Sequence, residues 1–392
     1  MMYDVLVIGA GPVGSYTAEL LASSGYRVAV VEQRDKRDGR SCCTGILGRE
    51  CVELFPVPPD VILRTASSAV FFSPSGKRIR VCKEGPQAYI VNREALDTAW
   101  AGRAREQGAE FLLGYRALAA RVTREGATVA CEHDRTRAEL RGRALVVASG
   151  FASGLTRQLG LGDPGDFVIG AQLDVDVQDT EEVEIYLGQE VAPGFFAWLV
   201  PTMPGRGRLG LLSRHHPGTY LVKLYNRLRA QGKVLSAITP PRFGGIPLRP
   251  LPKTYASRVV VVGNAAGQVK PTTGGGVYYG LLCAQLAAEV LHQALASDDF
   301  SEERFAQYER NWKRKLYREL QIGYYARRLY ERAGDSHIER VFDIMIRNGI
   351  HEALLRADDF SFDWHGGLLL KALTSHLLGG IIRALKSRLT AR

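Results

Sequence analysis

Several groups of residues in this chain are spaced for chemistry. Gly9-Ala10-Gly11-Pro12-Val13-Gly14 follows the apolar run Val5-Leu6-Val7-Ile8, and Glu32 closes the next apolar run, 23 residues beyond Gly9. Gly9 permits a tight strand-to-helix turn, Gly11 removes the Cβ that would block a pyrophosphate, and Gly14 lets the helix approach the strand. The N–H groups at the start of that helix face phosphates, and the Glu32 carboxylate accepts ribose hydroxyls. Such a site takes the ADP end of a dinucleotide. A second glycine cluster comes late, as Gly263-Asn264-Ala265-Ala266-Gly267 and then Pro271-Thr272-Thr273-Gly274-Gly275-Gly276-Val277. Between the two lie the adjacent thiols Cys42 and Cys43 and the aromatic run Phe195-Phe196-Ala197-Trp198-Leu199-Val200-Pro201. A thiol holds or releases a proton according to the charge around it, or simply packs as a small apolar group. Phe195, Phe196, Trp198, Leu199 and Val200 would line an apolar channel, or serve as the core of a β lobe.

The elements that must position these groups follow from apolar periodicity. Residues 3–8 and 27–32 read as buried strands with a helix over 15–24 between them, a βαβ unit. A Gly/Cys loop covers 38–48, and 65–81 alternates like an antiparallel hairpin around Ser73-Pro74-Ser75-Gly76. Helical spacing returns over 92–107, short strands fill 109–148, and turn-rich alternation from about 165 to 255 marks an inserted β-rich lobe. Arg258-Val259-Val260-Val261-Val262-Gly263 is again a strand of nucleotide-domain character, and a long helix runs from 277 to 296. His215-His216, beside Pro217-Gly218, reads as a surface loop rather than a ligand pair.

The fold class is therefore α/β, α+β overall. A discontinuous Rossmann-like domain (1–164 and 256–300) carries an inserted antiparallel catalytic lobe (165–255) and a helical C-terminal region (301–392), and the hairpin near 65–82 joins the lobe. Glycine turns on both sides of an inserted β lobe do not fit a two-domain NAD dehydrogenase. They fit FAD, an extended molecule that needs one set of backbone donors at its ADP end and another along its ribityl chain and isoalloxazine.

With 392 residues, 46% of them hydrophobic, the chain can build two or three cores. Its formal charge of +10 suits acidic partners or anionic surfaces. Nucleic acid is not among the expected partners, since no zinc-finger spacing, RNP motif or dense basic run occurs. Six cysteines without Cys-x-x-Cys pairing or a spaced His partner make no metal site and point to a reducing cytoplasm. The first strand begins at once, so no secretion signal is expected, and no uncharged apolar run reaches membrane-spanning length.

The late motif resembles the Gly-Asp-Ala-Ala-Gly of the glutathione-reductase-like FAD superfamily, in its p-hydroxybenzoate hydroxylase branch, with Asn264 in place of Asp. Within that branch, Ser41-Cys42-Cys43-Thr44-Gly45-Ile46, Pro193-Gly194-Phe195-Phe196-Ala197-Trp198-Leu199-Val200-Pro201 and Lys270-Pro271-Thr272-Thr273-Gly274-Gly275-Gly276-Val277-Tyr278-Tyr279-Gly280 are similar to three signatures of the geranylgeranyl reductase family, over roughly residues 1–300. The family reduces carbon–carbon double bonds of polyprenyl chains in lipid, chlorophyll or quinone precursors. The resemblance implies FAD contacts at Gly9, Gly11, Pro12, Val13, Gly14, Glu32, Gln33, Cys43, Thr44, Gly45, Arg93, Ala117, Gly263, Asn264, Gly275, Gly276 and Val277. It implies reaction at Cys43, Trp198 and Phe196, with Cys43 rather than Cys42 beside the flavin. Phe196 stands where the family's Tyr-x-Trp-x-Phe-Pro has a phenol, which makes the wall more apolar and removes a proton donor.

No second complete fingerprint exists for a resident nicotinamide, so NAD(P)H would dock transiently or reduced ferredoxin would serve as electron carrier. The partner substrate is a long-chain isoprenoid. In 366–392, Leu370, Leu373, Leu377, Ile381, Leu385 and Leu389 recur at helical steps among basic residues and no acidic ones. This is the composition of an interfacial helix, or of a helix packed on the substrate lobe, and places the protein in the cytoplasm with peripheral membrane contact. The alternative activity on the same fold is an aromatic monooxygenase or halogenase; a flavin-binding or lipid-carrier protein without catalysis is a third reading.

Overall fold

The computed structural model describes residues 2–35, 42–151, 153–349 and 361–365. The chain divides into two compact units, each drawn from separated stretches: Met1–Arg40, Arg93–Phe167 and Ile246–Leu320 in the first, Ser41–Asn92, Val168–Gly245 and Gln321–Arg392 in the second. The span 1–164 is thus shared between them, since 41–92, hairpin included, lies in the second unit. Residues 301–320 lie in the first.

In the first unit the apolar runs form a parallel sheet in the order Val259–Val261, Thr136–Val147, Met2–Ile8, Val28–Glu32, Glu110–Leu113. Val5, Leu6, Val7, Val30, Val146 and Val260 are fully buried. Strands covered on both faces read as unbroken apolar runs, which is why periodicity alone located them. Helix Pro12–Ser23 packs against helices Arg93–Glu106 and Val277–Ser297. It begins three residues before the sequence expectation because Pro12 has the fixed φ that suits a first helical position. Thr136–Val147 serves twice: its C-terminal half joins the parallel sheet, and its N-terminal half pairs antiparallel with Ala127–His133, which pairs with Arg116–Val122.

The second unit is built on a largely antiparallel sheet ordered Val234–Ala237, Phe167–Val177, Arg206–Ser213, Phe196–Met203, Val183–Leu187, Ser68–Phe72, Arg78–Cys82. The expected hairpin is its last pair, turned at 73–77 by Ser73 N–H to Lys77 O (2.9 Å). Ile46–Gly48, Ala88–Val91 and Ile62–Ala66 form a separate small sheet. The lobe at 165–255 is β-rich as expected, but it also holds a helix that the alternation did not single out, Pro217–Ala230. Leu221, Leu224 and Leu228 recur at helical spacing and are buried with Ala171, Leu173, Val175, Ala197, Leu199, Leu209 and Leu211 on one face of the sheet. His216, in the left-handed region at φ 51°, is the N-cap of that helix. Pro217 starts the helix, and His215-His216 is the exposed loop leading into it, as expected.

The C-terminal region is helical over Glu302–Trp312, Arg318–Glu331 and Asp335–Arg347, with a π turn at Lys313–Tyr317. The segment 361–365 is not helical; Asp363 is buried and accepts the Glu50 N–H (3.1 Å). Residues 366–392, expected to form an interfacial or packed helix, lie outside the described residues. Among the described residues no helix is long and apolar enough to cross a membrane.

Candidate active site

At the nucleotide end, in the first unit, Gly9 sits at φ 104°, and a Cβ on it would collide with the Ala148 carbonyl. A Cβ on Gly14 would collide with the Gly9 carbonyl, so both positions require glycine for close packing. Gly11 differs: among the described residues nothing lies within 4 Å of where its Cβ would project. This open space fits a pyrophosphate approaching the backbone. Helix Pro12–Ser23 has no side-chain N-cap, leaving its first N–H groups for a ligand. Glu32 is fixed by two backbone donors, Ala10 N–H (2.9 Å) and Arg34 N–H (3.1 Å), one on each carboxylate oxygen. Each oxygen keeps a further lone pair for a ribose hydroxyl. Gln33 follows it, exposed.

The late glycines belong to the same unit. Gly263, at φ 66°, opens the 3-10 turn Gly263–Ala266, and Val13 explains both Gly263 and Gly280. Its Cγ2 would lie 3.1 Å from a Cβ on the first and 2.5 Å from one on the second. Asn264 is half-buried, with Oδ1 against Gly276, where a Cβ would collide. Gly276 precedes helix Val277–Ser297, which again has no side-chain cap. Lys270 and Gly274–Gly275 close their own turn, Gly274 N–H to Lys270 O (2.8 Å) and Lys270 N–H to Gly275 O (3.0 Å). Two uncapped helix N-termini behind glycines fit the diphosphate and polar chain of FAD.

Arg93 begins helix Arg93–Glu106 and is held by Asp97 one turn on (Nη2 to Oδ1, 3.0 Å), both side chains largely buried. Ala117 lies on Arg116–Val122, opposite Cys131, where the strand register shifts. Sequence reasoning missed Gln268 and Tyr308, both fully buried. Gln268 accepts from Gly263 N–H (2.9 Å) and donates to the Tyr308 hydroxyl (2.8 Å), which donates to Val261 O (2.8 Å). They hold the Gly263 turn in shape.

The remaining residues gather in the second unit, on the sheet face turned away from helix Pro217–Ala230. Ile185, Trp198, Gly210 and Gln172 stand side by side across four strands. The Trp198 indole lies on Gly210: a Cβ there would fall 2.5 to 2.8 Å from Cζ2, Cε2 and Nε1. Trp198 is 8% exposed, and its Nε1–H has no hydrogen-bond partner among the described residues. Phe196 is half-buried, with its ring 5.9 Å from the indole.

Strand alternation corrects the expected channel lining. Leu199 points to the helix-covered core, and Phe195 is fully buried beneath the Arg327 guanidinium. Phe196, Trp198 and Val200 share the other side.

Above the same face runs the loop of Cys42, Cys43, Thr44 and Gly45. Cys42 donates its thiol to Arg242 O (3.4 Å) and Gly170 O (3.6 Å), and burial pushes it up to about 12, so it stays a thiol at neutral pH. Gln172 donates from Nε2 to Cys43 O (3.3 Å) and accepts at Oε1 from the Thr44 hydroxyl (3.0 Å). Arg208 Nη1 donates to Thr44 O (2.5 Å) and Val91 O (3.2 Å), and Gly45 O accepts from Val91 N–H (2.8 Å). Gln172 and Arg208 carry no distinctive sequence signal, since Asp174, Asp176 and Arg206 are also polar positions on the same strands.

An FAD binding domain family matches residues 2–208, and a lycopene cyclase protein family matches 216–345. The digeranylgeranylglycerophospholipid reductase of Methanocaldococcus jannaschii is 30% identical over 88% of this chain and 90% of its own. Among solved structures, a geranylgeranyl bacteriochlorophyll reductase-like protein of Thermoplasma acidophilum superposes with a TM-score of 0.85 at 22% identity, covering 98% of this chain and 99% of that one. The halogenase PltM, in complex with phloroglucinol and FAD, shares the fold at a TM-score of 0.68 and 17% identity, over 99% of this chain and 86% of its own. By its FAD-binding domain and by its relationship to the digeranylgeranylglycerophospholipid reductases, the chain belongs to the geranylgeranyl reductase family of FAD-dependent oxidoreductases.

Proposed function

We propose that this protein saturates carbon–carbon double bonds in the geranylgeranyl-type chains of a glycerophospholipid. The observation that carries the reading is the 30% identity to a digeranylgeranylglycerophospholipid reductase across nearly the whole of both chains. The glycine-framed helix N-termini of the first unit suit FAD, which when reduced supplies a hydride equivalent to one alkene carbon. The other carbon takes a proton, and Cys43 is the residue assigned to hold it at Sγ and regain it from water. An isolated alkene offers no carbonyl to stabilise developing charge, so alignment must supply much of the rate. Phe196, Trp198 and Val200 form an apolar wall for the chain.

Reducing equivalents come from NAD(P)H docking transiently or from a reduced ferredoxin-type carrier; the net charge of +10 favours an acidic partner. A substrate whose chains reside in a bilayer calls for contact with the membrane surface, and the basic, leucine-periodic stretch 366–392 is assigned that role. The reading is tested by anaerobic turnover of digeranylgeranylglyceryl phospholipid with dithionite-reduced, FAD-loaded protein, followed by mass spectrometry of the lipid. Cys43→Ala is the comparison, expected to keep FAD and lose most of the reduction.

A further inference from the structure

We infer that Gln172 is a positioning residue, which sets the Cys43 loop through hydrogen bonds to Cys43 O and the Thr44 hydroxyl. The inference rests on the role proposed above for Cys43. Gln172 is 2% exposed, on strand Phe167–Val177, in the same cross-strand row as Trp198. Its amide has one workable orientation. Nε2 is the donor that Cys43 O needs, and Oε1 is the acceptor that the Thr44 hydroxyl needs; a flipped amide would set two oxygens against each other. The side chain therefore reads both the height and the direction of the loop.

The surroundings make Gln172 the selective element rather than one tie among equals. Cys42 and Arg208 also anchor the loop, but Cys42 grips Gly170 O and Arg242 O from its own side chain, and Arg208, which also pairs with Asp174, meets the loop at the Thr44 carbonyl. Of these three, Gln172 alone touches both the peptide of Cys43 and the side chain of its neighbour. Its position beside Gly210, over which the Trp198 indole lies, puts the support of the thiol loop and the apolar wall on one rigid sheet. A site built on strands holds geometry better than one carried by a free loop.

Gln172→Leu preserves the bulk and removes both bonds; Thr44→Val removes one of them from the loop end, where packing is looser, and Thr44→Ser restores it. In FAD-loaded protein, iodoacetamide labelling resolved by peptide mass spectrometry is expected to modify Cys43 about tenfold faster in Gln172→Leu than in wild type, with Cys42 unchanged. Thr44→Val should move the same way and Thr44→Ser back. Turnover of digeranylgeranylglyceryl phospholipid should fall about tenfold in kcat with little change in KM, and Gln172→Leu should add nothing in a Cys43→Ala background. Unchanged Cys43 labelling in both Gln172→Leu and Thr44→Val overturns the proposal, as does a Gln172→Leu loss that adds fully to that of Cys43→Ala. Full turnover by Cys43→Ala would instead remove Cys43 from the reduction, and the labelling contrast would still decide whether Gln172 sets the loop.

Discussion

At the scale of single residues, the adjacent cysteines divide their work by environment. Cys42, half-buried, turns its thiol to two carbonyls, while Cys43 sits where Gln172 takes hold of its peptide. Trp198 depends on a residue that sequence reading passed over. Gly210 has no unusual backbone angle, and its reason for being glycine is the indole lying on it. Gly210→Ala places a methyl within 2.5 to 2.8 Å of that ring, so the indole must shift. The expected result is a loss of about 1–3 kcal/mol in stability from overpacking, a change in tryptophan fluorescence and slower turnover with FAD content unchanged. Normal turnover with a shifted emission spectrum would show that the indole position does not matter to the reaction.

At the scale of elements, the βαβ unit and the late strand were legible because burial on both faces and glycine at forced turns leave direct marks in the sequence. Helix Pro217–Ala230 was not, because its apolar positions Leu221, Leu224 and Leu228 lie between strands whose alternation dominated the window. The turn at Gly263 was legible, but what holds it was not: Gln268 and Tyr308 stand 40 residues apart and meet only through packing of helix Glu302–Trp312. Gln172, likewise, is recognisable only once the loop is seen over its strand. Tyr308→Phe leaves Gln268 Nε2 and Val261 O without their partner inside the core. A stability loss of about 1–3 kcal/mol is expected, together with easier loss of FAD on gel filtration. Full FAD retention would separate the Tyr308 bond from the cofactor site.

At the scale of the whole molecule, the C-terminal helix Asp335–Arg347 is tied to the hairpin by charge, through Lys77 with Glu339 and Asp343. Burial alone would raise the Glu339 carboxyl, but the Ser75 amide, the Ser73 and Ser75 hydroxyls and the Lys77 ammonium together hold it down to about 2. A carboxylate with a lowered folded pKa stabilises the fold above its ordinary value of 4.5 and loses that contribution as pH falls toward 2. The Tm difference between wild type and Glu339→Gln should therefore be full at neutral pH and shrink below pH 4.5; a constant difference would show that Glu339 is not bound in this way. The proposed membrane role of 366–392 belongs to the same scale. Deleting that stretch should abolish co-sedimentation with anionic liposomes while leaving FAD bound, and unchanged sedimentation would reject the role.

The central claim is that an FAD-dependent reductase acts here on a prenyl lipid without oxygen. The most direct measurement is the mass of digeranylgeranylglyceryl phospholipid after anaerobic incubation with dithionite-reduced protein. The account requires products heavier by one pair of hydrogens for each bond saturated, and strongly diminished products with Cys43→Ala. Unaltered lipid, or a product that forms only with oxygen and carries an added oxygen atom, would contradict it.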